Sequence, residues 1–218
     1  MITSPQMQTP SNDIGNKAHM KKIIFFLLLL TISSNAQSDT SIVPLWSVDS
    51  TITTDVRYAT TDNFTGKILY PTDKVYIRKI VALALAKVQK ELSENHNLQL
   101  KIFDAYRPLS VQKIMWEILP DDRYVANPAT GSRHNRGAAV DVTIIDSVGN
   151  EIDMGTEYDN FTEKAHYAFP DLSEEVKVNR KLLQDTMIRF GFHPITTEWW
   201  HFDFEGWEKF SILDVEIN

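Results

Sequence analysis

Three small residues, Gly137, Ala138 and Ala139, lead into the β-branched stretch that ends at Asp146. This junction limits the fold more than any other part of the chain. The seven-residue spacing of His134 and Asp141 would place both on one face of a helix. The glycine and the β-branched residues favour a loop entering a strand instead, over Ala138 to Asp146. His134 then precedes the strand and Asp141 lies within it. Small residues at the entry let another backbone approach closely. A turn and its strand can together chelate a cation, although the segment SRHNRGAAVD also fits a surface His and a solvated Asp.

A second segment, EWWH from Glu198 to His201, pairs a carboxylate with an imidazole. On an ideal strand, residues three apart face opposite ways, so a bend or strand edge is needed if both are to reach one point. Trp199 and Trp200 can shield Glu198 and raise its pKa into the useful range of a general base. The same four residues also fit an aromatic core patch with a surface Glu. If the two segments meet, they offer two imidazoles and a carboxylate with a second carboxylate nearby. Catalytic zinc sites are built this way, with three protein ligands, an open fourth position and a general base. A third segment, DAYRP from Asp104 to Pro108, places Arg107 just after an expected strand. There it could stabilise an oxyanion or simply pair with a carboxylate.

Composition narrows the chemistry. The chain has no cysteine, so disulfides, thiolate ligands and thiol nucleophiles are excluded, and any metal must sit on His, Asp or Glu. The formal net charge is -7 over 218 residues, and there is no basic stripe of the kind nucleic acid requires. At the N-terminus Lys21 and Lys22 precede an apolar run from Ile23 to Ile32, with small residues at Ser34 and Ala36. That is the pattern of a signal peptide cleaved after Ala36, too short for a membrane span of about 20 residues. Residues 1–19 are polar and patternless, and Met20 is an alternative start. The expected organisation is an N-terminal extension and signal over 1–36 and one domain over 37–218, exported to the periplasm without a membrane anchor. Losing Lys17, Lys21, Lys22 and Asp13 leaves 19 basic and 28 acidic residues.

Elsewhere, Ile52 to Tyr58 reads as a possible strand. Apolar residues from Ile77 to Leu92 at helical spacing predict a helix from about Asp73 to Leu92, ended by Asn95 or Asn97. Leu98 to Phe103 alternates as a strand. Ser110 could cap a helix through about Leu119, and residues 121–131 form a loop. Gly149-Asn150 turns into a short strand near Ile152. A long helix spans Ser173 to Phe190, with Val176, Leu183, Met187 and Phe190 as its stripe and Gly191 at its end. Trp199 to Phe204 closes the domain as a strand. The order implies an α+β fold with a mostly antiparallel sheet. His96 suits the dipole at a helix end, Trp46 and Trp207 read as packing residues, and His166 and His193 as surface groups or groups that orient a ligand.

Taken together these segments resemble the VanX-type D-alanyl-D-alanine dipeptidases, a zinc metallopeptidase family. Ser132, His134, Gly137, Ala139 and Asp141 match its Ser-x-His-x-x-Gly-x-Ala-x-Asp pattern, and Glu198 and His201 its Glu-x-x-His element. DAYRP, the segment RYATTDNFTG from Arg57 and the segment MGTEYD from Met154 are similar to further family stretches, the last to MG-x-x-FD. The resemblance covers about residues 52–204 and implies the D-Ala-D-Ala metallopeptidase, or hedgehog-like, fold. It implies one zinc ion per chain on His134, Asp141 and His201, Glu198 as general base and Arg107 at the oxyanion. Tyr58 and Asp159 would take the ammonium of a small dipeptide, and Ser132 would hydrogen-bond in its pocket. An exported enzyme would act on dipeptides released from peptidoglycan. Two other readings fit a zinc site of this plan. One is a D,D- or L,D-carboxypeptidase on peptidoglycan stem peptides, which needs an open cleft. The other is a wall-binding module without activity, which needs neither Glu198 nor Arg107.

Overall fold

The computed structural model describes residues 1–6 and 40–218. The expected signal segment and its cleavage point lie outside the described residues. Residues 1–6 carry no regular structure. Residues Asp39–Asn218 form one compact unit, and all that follows concerns it.

Two sheets and three helices make up this unit. Strands β1 (Ile42–Pro44) and β3 (Tyr76–Arg78) form an antiparallel pair. The larger sheet has five strands: β2 (Thr53–Thr54), β4 (Gln99–Asp104), β5 (Ala139–Ile145), β6 (Phe192–Pro194) and β7 (His201–Phe204). Their spatial order is β2-β4-β5-β7-β6, and only the β2–β4 pairing is parallel. The helices are α1 (Lys79–His96), α2 (Leu109–Ile118) and α3 (Glu174–Arg189). α1 packs on β4 and α3, and α3 on β6. The expected α+β class with a mostly antiparallel sheet is the observed one.

β5 is the central strand, and every residue in it is buried. Val140, Val142 and Ile144 join the main core. The period of two therefore turns Asp141 to the other face. Gly137 sits at φ 63°, and a Cβ there would lie 2.7 Å from Ile42 Cδ1 and 3.2 Å from Arg78 Cγ. The close approach expected of the small-residue run is thus to β1 and β3.

Several expected boundaries move. The helix expected from Asp73 begins only at Lys79, because β1 takes Tyr76–Arg78 as a strand partner. Ile77 is buried in either conformation, so apolar spacing could not separate the two. α1 ends as expected at Asn97, which adopts the left-handed conformation (φ 54°). Ser110 does not cap α2: Pro108 occupies the cap position, and the Ser110 amide donates to Asp214 Oδ1. Ser173 does cap α3, accepting from the Val176 amide at 3.2 Å. The possible strand over Ile52 to Tyr58 shrinks to β2 and a short 3-10 turn, Arg57–Ala59. The one near Ile152 is a single bridge between Ile145 and Glu151. The last strand starts at His201, because Trp199 and Trp200 lie in a turn. β6 was not expected at all: Gly191 reads as a helix stop, and the three residues that follow it in β6 carry no pattern of their own.

Candidate active site

Strand pairing builds the centre of the site. Asp141 on β5 faces His201 on β7 across the antiparallel ladder. On its other side Asp141 faces Asp104 at the end of β4, where a bulge follows Ile102. His134 arrives from a 3-10 turn, His134–Arg136, immediately before Gly137. The ligating atoms of His134, Asp141 and His201 all lie within 4.8 Å of one another, and all three residues are buried. Asp141 Oδ1 is 3.0 Å from His201 Nδ1 and 3.4 Å from His134 Nε2.

Hydrogen bonds orient both imidazoles. His134 Nδ1 donates to the Ala105 carbonyl at 2.7 Å, and His201 Nε2 donates to Asp203 Oδ1 at 2.9 Å. His134 Nε2 and His201 Nδ1 then face each other at 3.2 Å, and His201 Nδ1 also lies 3.0 Å from Asp141 Oδ1. With neutral rings, two lone pairs and a carboxylate oxygen would converge in a buried place and repel one another, so a positive charge, either a proton on His201 or a metal ion, is needed there. Local electrostatics agree. Burial opposes ionisation of Asp141, but His134 and His201 outweigh it and hold the carboxyl well below its ordinary range. Burial likewise opposes a charge on His201, yet Asp141 and Asp203 pull its pKa up. Positive charge is favoured here, and two imidazoles with one carboxylate suit zinc.

The turn that the Glu-x-x-His spacing requires is present. The His201 amide donates to the Glu198 carbonyl at 3.4 Å, and the Val142 amide anchors the turn on the Trp200 carbonyl at 3.0 Å. Glu198 Oε2 then comes within 4.0 Å of His201 Nδ1. Its pKa is pushed up to about 8, chiefly by burial, with Asp141 and Asp159 adding to the effect against the pull of His201. Such a carboxylate can accept a proton near neutral pH.

Arg107 borders the same cleft. Its Nε and Nη2 donate to Asp104 Oδ2 at 3.0 and 2.6 Å, and Nη1 donates to Gln112 Oε1 at 3.0 Å. Three of the five guanidinium protons are thus spent on fixing the group. Asp104 is itself held by the Tyr70 hydroxyl at 2.8 Å. Asn135 joins this loop to the ligand loop: its Nδ2 donates to the Arg107 carbonyl at 2.8 Å, and its Oδ1 accepts from the Ser132 amide at 2.8 Å. Ser132 Oγ accepts from the Asn135 amide, which leaves the hydroxyl proton free for a ligand.

At the far end, the Tyr58 hydroxyl donates to Asp159 at 3.0 Å. Asp159 keeps some exposed surface, but its carboxyl is turned into the cleft. Burial, followed by repulsion from Asp141, pushes its pKa up to about 7. Its backbone is left-handed (φ 58°), uncommon for a residue other than glycine and costly unless its surroundings impose it.

One cleft is lined by all eight residues singled out in the sequence: Tyr58, Arg107, Ser132, His134, Asp141, Asp159, Glu198 and His201. Residues 122–126 of the expected loop form a wall, with Tyr124 stacked on Phe161 at 4.8 Å. Asp104, Tyr158 and Asp203 were missed in the sequence. Asp203 carried a signal, since it follows His201 at strand spacing and a ligating His commonly donates its second N–H to a carboxylate. Arg180 was missed as well: buried in α3, it donates to the carbonyls of Met154, His166 and Lys164 at 2.8, 2.8 and 2.9 Å. It thereby staples both ends of the segment that carries Asp159. His166 and His193 do not line the cleft. Trp46, 47% exposed, packs edge-on against Tyr76, and Trp207 packs under Arg133 and Arg136, so both are packing residues at the surface.

The chain is similar to known proteins. The family model described as D-ala-D-ala dipeptidase (Peptidase_M15) matches residues 38–211. The D-alanyl-D-alanine dipeptidase of Escherichia coli (strain K12) is 36% identical over 179 residues, covering 82% of this chain and 92% of that protein. The D-alanyl-D-alanine dipeptidase of Enterococcus faecium is 32% identical over 172 residues, covering 68% of this chain and 83% of that one. Among solved structures, the vancomycin-resistance D,D-pentapeptidase VanY in complex with Zn(II) is 18% identical with a TM-score of 0.41, covering 62% of this chain and 75% of the other. The chain belongs to the D-Ala-D-Ala dipeptidase family of peptidases.

Proposed function

We propose that this protein hydrolyses D-alanyl-D-alanine to two D-alanines, using one zinc ion held by His134, Asp141 and His201. The observation that carries this reading is the convergence of His134 Nε2, His201 Nδ1 and Asp141 Oδ1 beside a carboxylate with a raised pKa. When bound, zinc supplies Lewis acidity and acidifies water to a pKa of about 7. Glu198 takes the proton of the attacking water and returns it to the leaving amine. Arg107 donates to the oxygen that becomes negative as the peptide carbon turns tetrahedral. Asp159, steadied by Tyr58, pairs with the substrate ammonium, and Ser132 donates its hydroxyl proton within the pocket. A substrate lacking a free ammonium would leave Asp159 unpaired, which favours free dipeptides over acylated stem peptides. We place this activity outside the cytoplasm, on dipeptides released from peptidoglycan, on the strength of the signal-like N-terminus.

The test is release of D-alanine from D-Ala-D-Ala by the purified protein, with and without zinc, beside Glu198→Ala. Zinc-dependent release should fall by about 10² to 10⁴ in the variant, the range for a lost general base. Cleavage of acylated stem peptides but not of the dipeptide would favour the carboxypeptidase reading. Zinc binding without cleavage of either would leave the wall-binding module.

A further inference from the structure

Asp141 has two carboxylate oxygens, and the ligand cluster uses one. Oδ1 faces both imidazoles. Oδ2 accepts a hydrogen bond from the Tyr158 hydroxyl at 3.0 Å. The aim of that hydroxyl is set by packing on three sides. The Tyr158 ring stacks on Phe103 with centroids 4.6 Å apart and planes 19° apart. It meets Trp200 edge-on at 5.5 Å and Tyr58 at 6.2 Å. Its backbone belongs to the segment that Arg180 staples at Met154, Lys164 and His166. The next residue, Asp159, turns left-handed, and its carboxyl reaches the same cleft.

We infer that Tyr158 is a positioning residue of the metal centre: its hydroxyl holds Asp141 Oδ2 away from the cluster, so that Asp141 presents Oδ1 alone. A carboxylate fixed in this way binds through one oxygen and loses no rotational freedom when the ion arrives. Without the hydroxyl, Asp141 can swivel and offer both oxygens, which crowds the position needed for water. Hydrogen-bond partners of ligating carboxylates typically change metal affinity by about 10- to 100-fold. The inference rests on the reading of His134, Asp141 and His201 as zinc ligands.

Tyr158→Phe removes the hydroxyl and keeps the ring on Phe103. Competition with a chromophoric chelator, using the full-length protein, should show zinc affinity reduced about 10-fold or more. Cobalt(II) substituted for zinc gives a second readout, since its visible d–d bands weaken as coordination number rises. The variant should show weaker bands than the wild type. A purely structural tyrosine would move neither signal in protein that remains folded. His134→Ala is the companion control and should lose the metal altogether. If wild type holds zinc tightly, His134→Ala loses it, and Tyr158→Phe holds it within twofold with an unchanged cobalt spectrum, the inference is overturned alone. If wild type binds no zinc, the ligand assignment is overturned and the inference with it.

Discussion

Replacing Gly137 by alanine tests how tightly the ligand loop is built. Gly137 closes the turn that carries His134 and passes the chain to β5, which carries Asp141. At φ 63° an alanine meets the left-handed penalty, roughly 1–2 kcal/mol. Its Cβ also meets Ile42 Cδ1 at 2.7 Å, Arg78 Cγ at 3.2 Å and the Arg78 amide nitrogen at 3.4 Å. The Ile42 methyl lies at the end of a flexible side chain and can swing away. Arg78 is much less free, because its Nε donates to the Arg136 carbonyl at 2.6 Å and its other nitrogens to the carbonyls of Thr40 and Ser211. Overpacking against such a wall costs about 1–3 kcal/mol, so the total is about 2–5 kcal/mol. Gly66 supplies the control. It has nearly the same backbone angle, φ 64°, and an added Cβ would find nothing within 4 Å. Gly66→Ala should therefore cost only the left-handed portion. Urea unfolding of both variants isolates the contact portion as their difference, and the effect of alanine on the unfolded chain largely cancels. Equal losses in the two variants would refute the argument, because Arg78 would then not act as a wall.

Two further outcomes follow from the site. The Asp159 carboxyl is held at about 7 against an ordinary value of 3.8, so the native state keeps a proton that the unfolded chain has released. This contribution to the stability of the metal-free protein is full below about pH 4 and is lost as pH rises through about 7. Urea midpoints between these limits should fall with pH, and Asp159→Asn should flatten the fall. Arg180→Ala removes three bonds from a charged donor to carbonyl oxygens, and unfolding should show a loss of about 3–5 kcal/mol. At temperatures where the variant stays folded, KM for the dipeptide should rise more than kcat falls, since the loosened segment carries Asp159.

Much of the site was legible in the chain because its groups lie in short segments. His134 with Asp141, and Glu198 with His201, each declare a spacing. The α+β class followed from the apolar stripes of α1 and α3 and the β-branched run of β5. What stayed hidden depends on partners distant in sequence. Asp104 becomes a bracket for Arg107 only because a bulge in β4 sets it opposite Asp141. Tyr158 matters through a hydroxyl that reaches a ligand on another element, and no local pattern announces that. The start of α1 was misplaced for the same reason, since the strand at Tyr76–Arg78 exists only through β1. The bend at Glu198, by contrast, could be required in advance from the period of a strand.

The last residues of the chain run across the two loops that frame the cleft. The Leu213 amide donates to the Asn135 carbonyl and the Leu109 amide to the Leu213 carbonyl. The Tyr106 hydroxyl bonds Val215 through both its amide and its carbonyl, Ile217 is buried, and the Tyr76 hydroxyl reaches the Asn218 carbonyl at 2.7 Å. Anyone handling this protein should therefore treat that segment as part of the working enzyme. Substitutions that break these bonds would loosen the loops bearing Arg107 and His134, and the resulting loss of turnover could be mistaken for a defect in the chemistry.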